Sequence, residues 1–147
     1  MYNFSTISKR IKKNEGFSNT VYKDQLGFLT IGYGHLITPK DKFVKKKKYS
    51  KKVLDKLFCK DLKKAIKNFE KNLPQKTLPN NVEEIIIEMI FQLGIKGFKK
   101  FKKFNYHILK KEYYMAALEM VKSRWYKQTP NRVHFLIKKL LNNNAKR

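Results

Sequence analysis

Apolar residues recur at helical spacing from the start of the chain, where Phe4, Ile7 and Ile11 form one stripe. Gly16 stands where a left-handed C-terminal cap belongs, which predicts a first helix over residues 3–14 ending near Glu15. The pattern then changes. Val21-Tyr22 and Phe28-Leu29-Thr30-Ile31 are β-branched and aromatic runs, and Gly27 punctuates a turn between them. These runs predict a hairpin turning near Leu26-Gly27, with Asp24 roughly opposite Thr30. On alternating faces Leu29, Ile31 and Tyr33 point one way and Thr30, Gly32 and Gly34 the other. The second face is small and polar and leaves room beside Thr30.

Ser50 is a candidate N-cap, and Val53, Leu54, Leu57, Phe58, Leu62, Ala65, Ile66 and Phe69 follow it at helical spacing. One amphipathic helix over about residues 50–71 is expected, ended by Pro74 and Pro79. Residues 81–93 read as a strongly apolar helix broken by Gly94 and Gly97. Further helices are expected over 101–111, 112–122 and 130–142, the last begun by Pro130, with a frayed NNNAKR tail. The class is α+β, mainly α: a small N-terminal helix-plus-hairpin lobe (about 1–50), the long joining helix, and a helical lobe (about 73–147).

Composition narrows the choices. With 147 residues, 41% of them hydrophobic, the chain suits one domain that buries a real core. Its formal net charge of +24 favours polyanions as partners: nucleic acid, anionic wall polymers or membrane surfaces. An AT-rich genome would also supply much of this lysine, so charge alone names no partner. The single cysteine, Cys59, excludes an intrachain disulfide. The N-terminus lacks a signal-like apolar run, so synthesis in a cytosol is expected. His35, His107 and His134 are far apart and no metal-binding spacing appears, so no metal or other cofactor is expected.

Eleven carboxylates make elimination informative. Asp41, Asp55, Glu70, Glu83, Glu84, Glu112 and Glu119 read as surface charge. Asp61 and Glu88 sit among apolar neighbours, and Glu15 and Asp24 flank the hairpin. Two carboxyls in different environments are the minimal kit for glycoside hydrolysis, one as acid and one as base or nucleophile. Glu15, at a helix C-terminus, faces the negative end of the helix dipole, which suits a group that carries a proton. Asp24 beside Thr30 suits gripping a water molecule.

The segments EGF, YKD and GFLTIGYGH, in that order over residues 15–35, resemble the start of the T-even bacteriophage lysozymes, a glycoside hydrolase family of endolysins. MIFQLG at 89–94 resembles that family's cleft helix, and SRWYKQTPNR at 123–132 its late motif. The resemblance implies a single two-lobed lysozyme domain that cleaves the β-1,4 bond between N-acetylmuramic acid and N-acetylglucosamine with inversion. It implies Glu15 as general acid, Asp24 as general base and Thr30 as the residue that helps hold the water. Arg132 matches an arginine that pairs with the catalytic glutamate. His35 and Asp61 match a structural pair between hairpin and long helix. Gly34, Leu36, Phe91 and Gln92 match substrate-binding positions, and Trp125 a core tryptophan.

The resemblance further implies peptidoglycan as partner and no specific nucleic acid. It implies a monomeric endolysin held in the host cytoplasm until a separate holin lets it reach the periplasm and wall. An inactive, basic binding protein and a hydrolase of another aminosugar polymer are the alternatives. Two departures stand out. The lysine-rich loop between His35 and Ser50 is short, which predicts loss of a strand from the sheet. Glu88 replaces an asparagine, which predicts a buried carboxylate coupled to Arg132.

Overall fold

A computed structural model describes residues 2–73 and 78–142 of the chain. The stop assigned to Pro74 and the fraying assigned beyond Asn142 fall outside the described residues. Among the described residues the fold is mainly helical with one small antiparallel sheet, the α+β class expected. Two compact units are present: Phe4–Lys67, and Met1–Asn3 with Asn68–Arg147. The division falls inside the long helix. No helix among the described residues is long and apolar enough to cross a membrane.

In the unit Phe4–Lys67, helix α1 spans Phe4–Glu15 and buries Ile7 and Ile11 completely. Gly16 takes φ +69, and its N–H donates to the Lys12 carbonyl at 3.1 Å, closing the helix as a left-handed cap. Strands β1 (Ser18–Lys23), β2 (Leu29–Gly32) and β3 (His35–Leu36) form an antiparallel sheet in that order. Tyr22 lies opposite Thr30 and Lys23 opposite Leu29, with an irregularity between Ser18 and Tyr22.

Asp24 is therefore not opposite Thr30. Its N–H donates to the Phe28 carbonyl at 2.9 Å. Its Oδ1 accepts from the N–H groups of Leu26 (2.9 Å) and Phe28 (2.8 Å), and the chain reverses about Leu26, in the Leu26-Gly27 turn expected. The sheet has three strands among the described residues. The strand β3 forms immediately after β2 through Tyr33-Gly34, upstream of the lysine-rich loop, and that loop contributes no strand among the described residues.

Helix α2 runs Lys51–Asn72, with Ser50 Oγ accepting from the Val53 N–H at 3.2 Å. Leu54, Phe58, Leu62, Ala65 and Ile66 are buried, and the lysines take the opposite face. Burial of each large apolar side chain is worth about 1.5–3 kcal/mol.

In the other unit, helix α3 (Asn80–Lys99) is broken at Gly94, whose φ of 73 and ψ of 162 are non-helical. Gly97 does not break it. A Cβ there would stand 3.2 Å from Leu93 Cβ, so this glycine serves close packing instead. Helices α4 (Lys102–Leu109), α5 (Tyr113–Val121), α6 (Arg124–Gln128) and α7 (Pro130–Leu141) follow. Ser123 caps α6 by accepting from the Tyr126 N–H, and Pro130 opens α7. Ile85, Ile86, Met89, Phe104, Ile108, Met120, Val133 and Leu136 are fully buried in the core of this unit.

Glu84 belongs to that interior rather than to the surface. It is buried, pairs with Lys139 Nζ and accepts from the Asn3 N–H at 3.2 Å. The helix α7 packs on α3, so a position that reads as polar along one helix is covered by the next.

Candidate active site

Glu15 is the last residue of α1 and half-buried. The turn between β2 and β3 meets its carboxylate. A Cβ built on Gly34 would stand 2.5 Å from Glu15 Oε2, and Gly34 has φ +74. Only a residue without a side chain lets the backbone approach the acid this closely without strain.

Asp24 is half-buried and opens the β1–β2 turn. Its Oδ1 is held by the two backbone N–H groups of the turn, which fixes the carboxylate's direction. Thr30 is buried at 4% exposure, and its hydroxyl donates to the Phe28 carbonyl at 3.0 Å. With that proton committed, the lone pairs of Oγ1 are what Thr30 offers a water. Leu36 pairs with Thr30 from β3 and is 52% exposed.

Tyr22, on β1, is the neighbour of Thr30, paired with it across the sheet. Its phenol is pushed above the ordinary 10.0 by burial and then by the negative charges of Glu15 and Asp24. Sequence reasoning missed Tyr22, because an aromatic on a strand reads as packing.

His35, on β3, is held between two carboxylates. Its Nδ1 lies 2.7 Å from Asp61 Oδ2 on α2, as the His–Asp match implied, and its Nε2 lies 3.0 Å from Asp41 Oδ2. Asp41 also accepts from the Thr38 N–H (2.8 Å) and hydroxyl (3.0 Å). Asp41 was expected to be surface charge. The loop after β3 instead folds it back onto the imidazole, a contact no helical or strand period announces.

The second group of candidates lies in the other unit. Glu88 is fully buried, and Arg132 Nε donates to its Oε1 at 3.4 Å. The expected burial of Glu88 and its pairing with Arg132 are both present. Trp125 is buried, and its Nε1–H donates to Gln92 Oε1 at 2.8 Å; Gln92 Nε2 lies 3.5 Å from Thr129 Oγ1. Gln92 is thus oriented by two residues of the SRWYKQTPNR motif. Phe91 is half-buried beside it.

The family description "Phage lysozyme" matches residues 12–142. The chain belongs to the phage lysozyme family. The match starts before Glu15 and ends beyond Arg132, so it takes in every candidate above. Among curated proteins, "Probable T4-type lysozyme 1" of Dictyostelium discoideum is 35% identical over 90% of this chain and 92% of its own length. "Probable T4-type lysozyme 2" of the same organism is 33% identical with the same coverage. Membership of the phage lysozyme family supports a lysozyme-type peptidoglycan hydrolase, a glycoside hydrolase by class.

Proposed function

We propose that the chain cleaves the β-1,4 bond between N-acetylmuramic acid and N-acetylglucosamine in peptidoglycan, with Glu15 as general acid and Asp24 as general base. The observation that supports this reading is the close packing of the Glu15 carboxylate against the Gly34 turn, on the same small sheet that carries Asp24 and the buried Thr30. Glu15 gives its proton to the glycosidic oxygen as the bond to the anomeric carbon breaks. A water attacks that carbon from the opposite face and passes a proton to Asp24, so the configuration inverts. Inversion needs the two carboxyls roughly 6.5–9.5 Å apart, which leaves room for the water. Thr30 holds that water through its lone pairs.

Supporting roles are assigned to Arg132, Glu88, His35 and Asp61. Glu88 fixes the guanidinium of Arg132 and offsets its charge. The imidazole of His35 holds β3 to α2, and with it the Gly34 turn. Gly34, Leu36, Phe91 and Gln92 are assigned contacts with the sugar chain. The enzyme acts as a monomer without metal or other cofactor.

Release of soluble muropeptides from purified sacculi tests the reading. Wild type should release them, and Glu15→Gln and Asp24→Asn should each lose on the order of 10²–10⁴-fold. No release by wild type would end the hydrolase reading. Full activity in either variant would end the residue assignment.

The setting is proposed as host lysis by an endolysin, freed from the host cytoplasm by a separate holin. The Dictyostelium relatives favour a second setting, attack on bacterial walls by a eukaryotic cell. Expression in a bacterium with and without a membrane-permeabilising protein separates them. Lysis that depends on the permeabiliser fits the first, and no lysis in either case, from protein that still releases muropeptides from purified sacculi, would count against it.

A further inference from the structure

The sugar-cleaving reading leaves the lysine face of α2 without a task. Lys52, Lys56, Lys60 and Lys63 recur at i, i+4, i+8 and i+11 along the exposed side of this helix. They line a shallow surface groove of about 700 Å³ together with Lys51 and Asp55. Asp55 is the only acid in the groove, and it is already engaged by Lys51 at 2.9 Å and Lys12 at 3.4 Å. Among the described residues, no ion pair or hydrogen bond involves the side chains of the other four lysines.

Like charges at i, i+4 destabilise a helix. This row therefore works against α2, and among the described residues no ion pair of these four lysines offsets it. An outside anion would.

The spacing says what kind. Four residues of helix rise about 6 Å. A linear polymer with one phosphodiester every six backbone bonds repeats at about 7 Å when extended, twice the three-bond peptide repeat. The first two intervals, about 12 Å from Lys52 to Lys60, are close to two such repeats; the third, Lys60 to Lys63, is only about 4.5 Å, and the long lysine side chains make up the difference. Nucleic-acid strands and poly(glycerol phosphate) both have a six-bond repeat. Proteins that hold single strands add aromatic platforms on which bases stack. None of the residues lining this groove is aromatic. A phosphodiester chain without bases fits it better.

We propose that this face of α2 binds a linear poly(glycerol phosphate), the kind of anionic polymer attached to peptidoglycan in some bacterial walls. The inference rests on the hydrolase reading for its biology, since the bound polymer would hold the enzyme on its substrate. Its chemistry stands on the lysine row alone.

The test is binding of a fluorescent poly(glycerol phosphate) of about ten repeats to the full chain, followed by anisotropy over a range of salt. Wild type should bind with a log-affinity against log-salt slope near −3, about −0.7 for each of four phosphates neutralised. The variant K52Q/K56Q/K60Q/K63Q should lose at least tenfold in affinity and most of that slope. An equal-charge control, K99Q/K100Q/K102Q/K103Q, should lose less than threefold. Equal losses in the two variants would reduce the effect to net charge and overturn the proposal. Tighter binding of a single-stranded oligonucleotide of the same charge, lost in the α2 variant, would overturn the assigned occupant in favour of nucleic acid. Muropeptide release from sacculi stripped of phosphopolymer reads the hydrolase separately and should be unchanged in the α2 variant. Polymer binding without muropeptide release by wild type would refute the hydrolase reading and leave this one standing.

Discussion

The carboxylate of Glu15 occupies the space where a side chain on Gly34 would begin. The distance from a Cβ at Gly34 to Glu15 Oε2 would be 2.5 Å, and Gly34 also needs its positive φ of 74. Gly34→Ala should therefore do two things. The left-handed backbone costs an L residue about 1–2 kcal/mol, and the methyl group displaces the acid. Gly94→Ala separates the two effects, because Gly94 has φ 73 with nothing within 4 Å of a Cβ. Chemical denaturation should show backbone strain in both, since both need a positive φ and Gly94 adds a ψ of 162 that is glycine-only ground. Muropeptide release should fall at least tenfold further in Gly34→Ala than in Gly94→Ala. Equal activity in the two would mean that the Gly34 contact does not position Glu15.

Thr30 gives a sharper test of the attacking water. Its hydroxyl donates to the Phe28 carbonyl, so it meets the water as an acceptor. Thr30→Ser keeps that donor and acceptor and should stay within a few-fold of wild type. Thr30→Val keeps the shape and removes both, and kcat should fall by roughly 10²-fold, the scale of a misplaced reactant. KM should move little, since the sugar contacts are elsewhere. A Thr30→Val enzyme with wild-type kcat would remove Thr30 from the mechanism.

The buried pair of Glu88 and Arg132 makes stability and activity separable. Glu88 is fully buried, so removing it alone leaves a desolvated guanidinium without this carboxylate. Glu88→Met should cost about 3 kcal/mol, in the range for breaking a buried pair. The double change Glu88→Met with Arg132→Met removes both charges and should recover most of that loss. Activity should not return with stability if Arg132 supports catalysis. Thermal unfolding and muropeptide release on the same three proteins decide both points. A fully active double variant would make the pair purely structural.

Local signals made α1 and α2 legible, because their stripes and caps are encoded within a few residues: Gly16 closes one and Ser50 opens the other. The hairpin register was not, because Asp24 competes for backbone N–H groups in the turn, which leaves Tyr22 rather than Asp24 opposite Thr30. Glu84 read as surface because its partners, Lys139 and Asn3, are remote in sequence. Asp41 and Tyr22 were missed for a related reason. Their importance lies in what faces them, and a one-dimensional pattern does not carry facing. The choice of Glu15, Asp24 and Thr30 as candidates rests on the order of the EGF, YKD and GFLTIGYGH segments that resemble the family, with the small number of acids in so basic a chain as a secondary guide.

The ring of His35 can donate to Asp61 through Nδ1 and to Asp41 through Nε2 together only as the imidazolium. Burial pushes His35 down, but the hydrogen bonds and charges of Asp61 and Asp41 outweigh it, leaving the imidazole above its ordinary 6.5. Burial pushes Asp41 up, but the Thr38 N–H, the His35 ring and the Thr38 hydroxyl outweigh it and bring the carboxyl below its ordinary 3.8. The raised histidine contributes stability that is full below its unfolded value and is lost as pH rises through the higher folded one. The lowered aspartate contributes stability that is full above its unfolded value and is lost as pH falls through the lower folded one. The clamp should therefore be strongest between about pH 4 and 6.5. The variant His35→Asn should be less stable than wild type by about 2 kcal/mol in that window, the scale of a hydrogen bond to a charged group. Denaturation of both proteins from pH 3 to 9 measures the difference. It should shrink on both sides of the window, toward alkaline pH as the imidazolium is lost and toward acid as Asp41 takes up a proton. A difference that stayed flat, or grew above neutrality, would show that His35 acts through packing rather than charge.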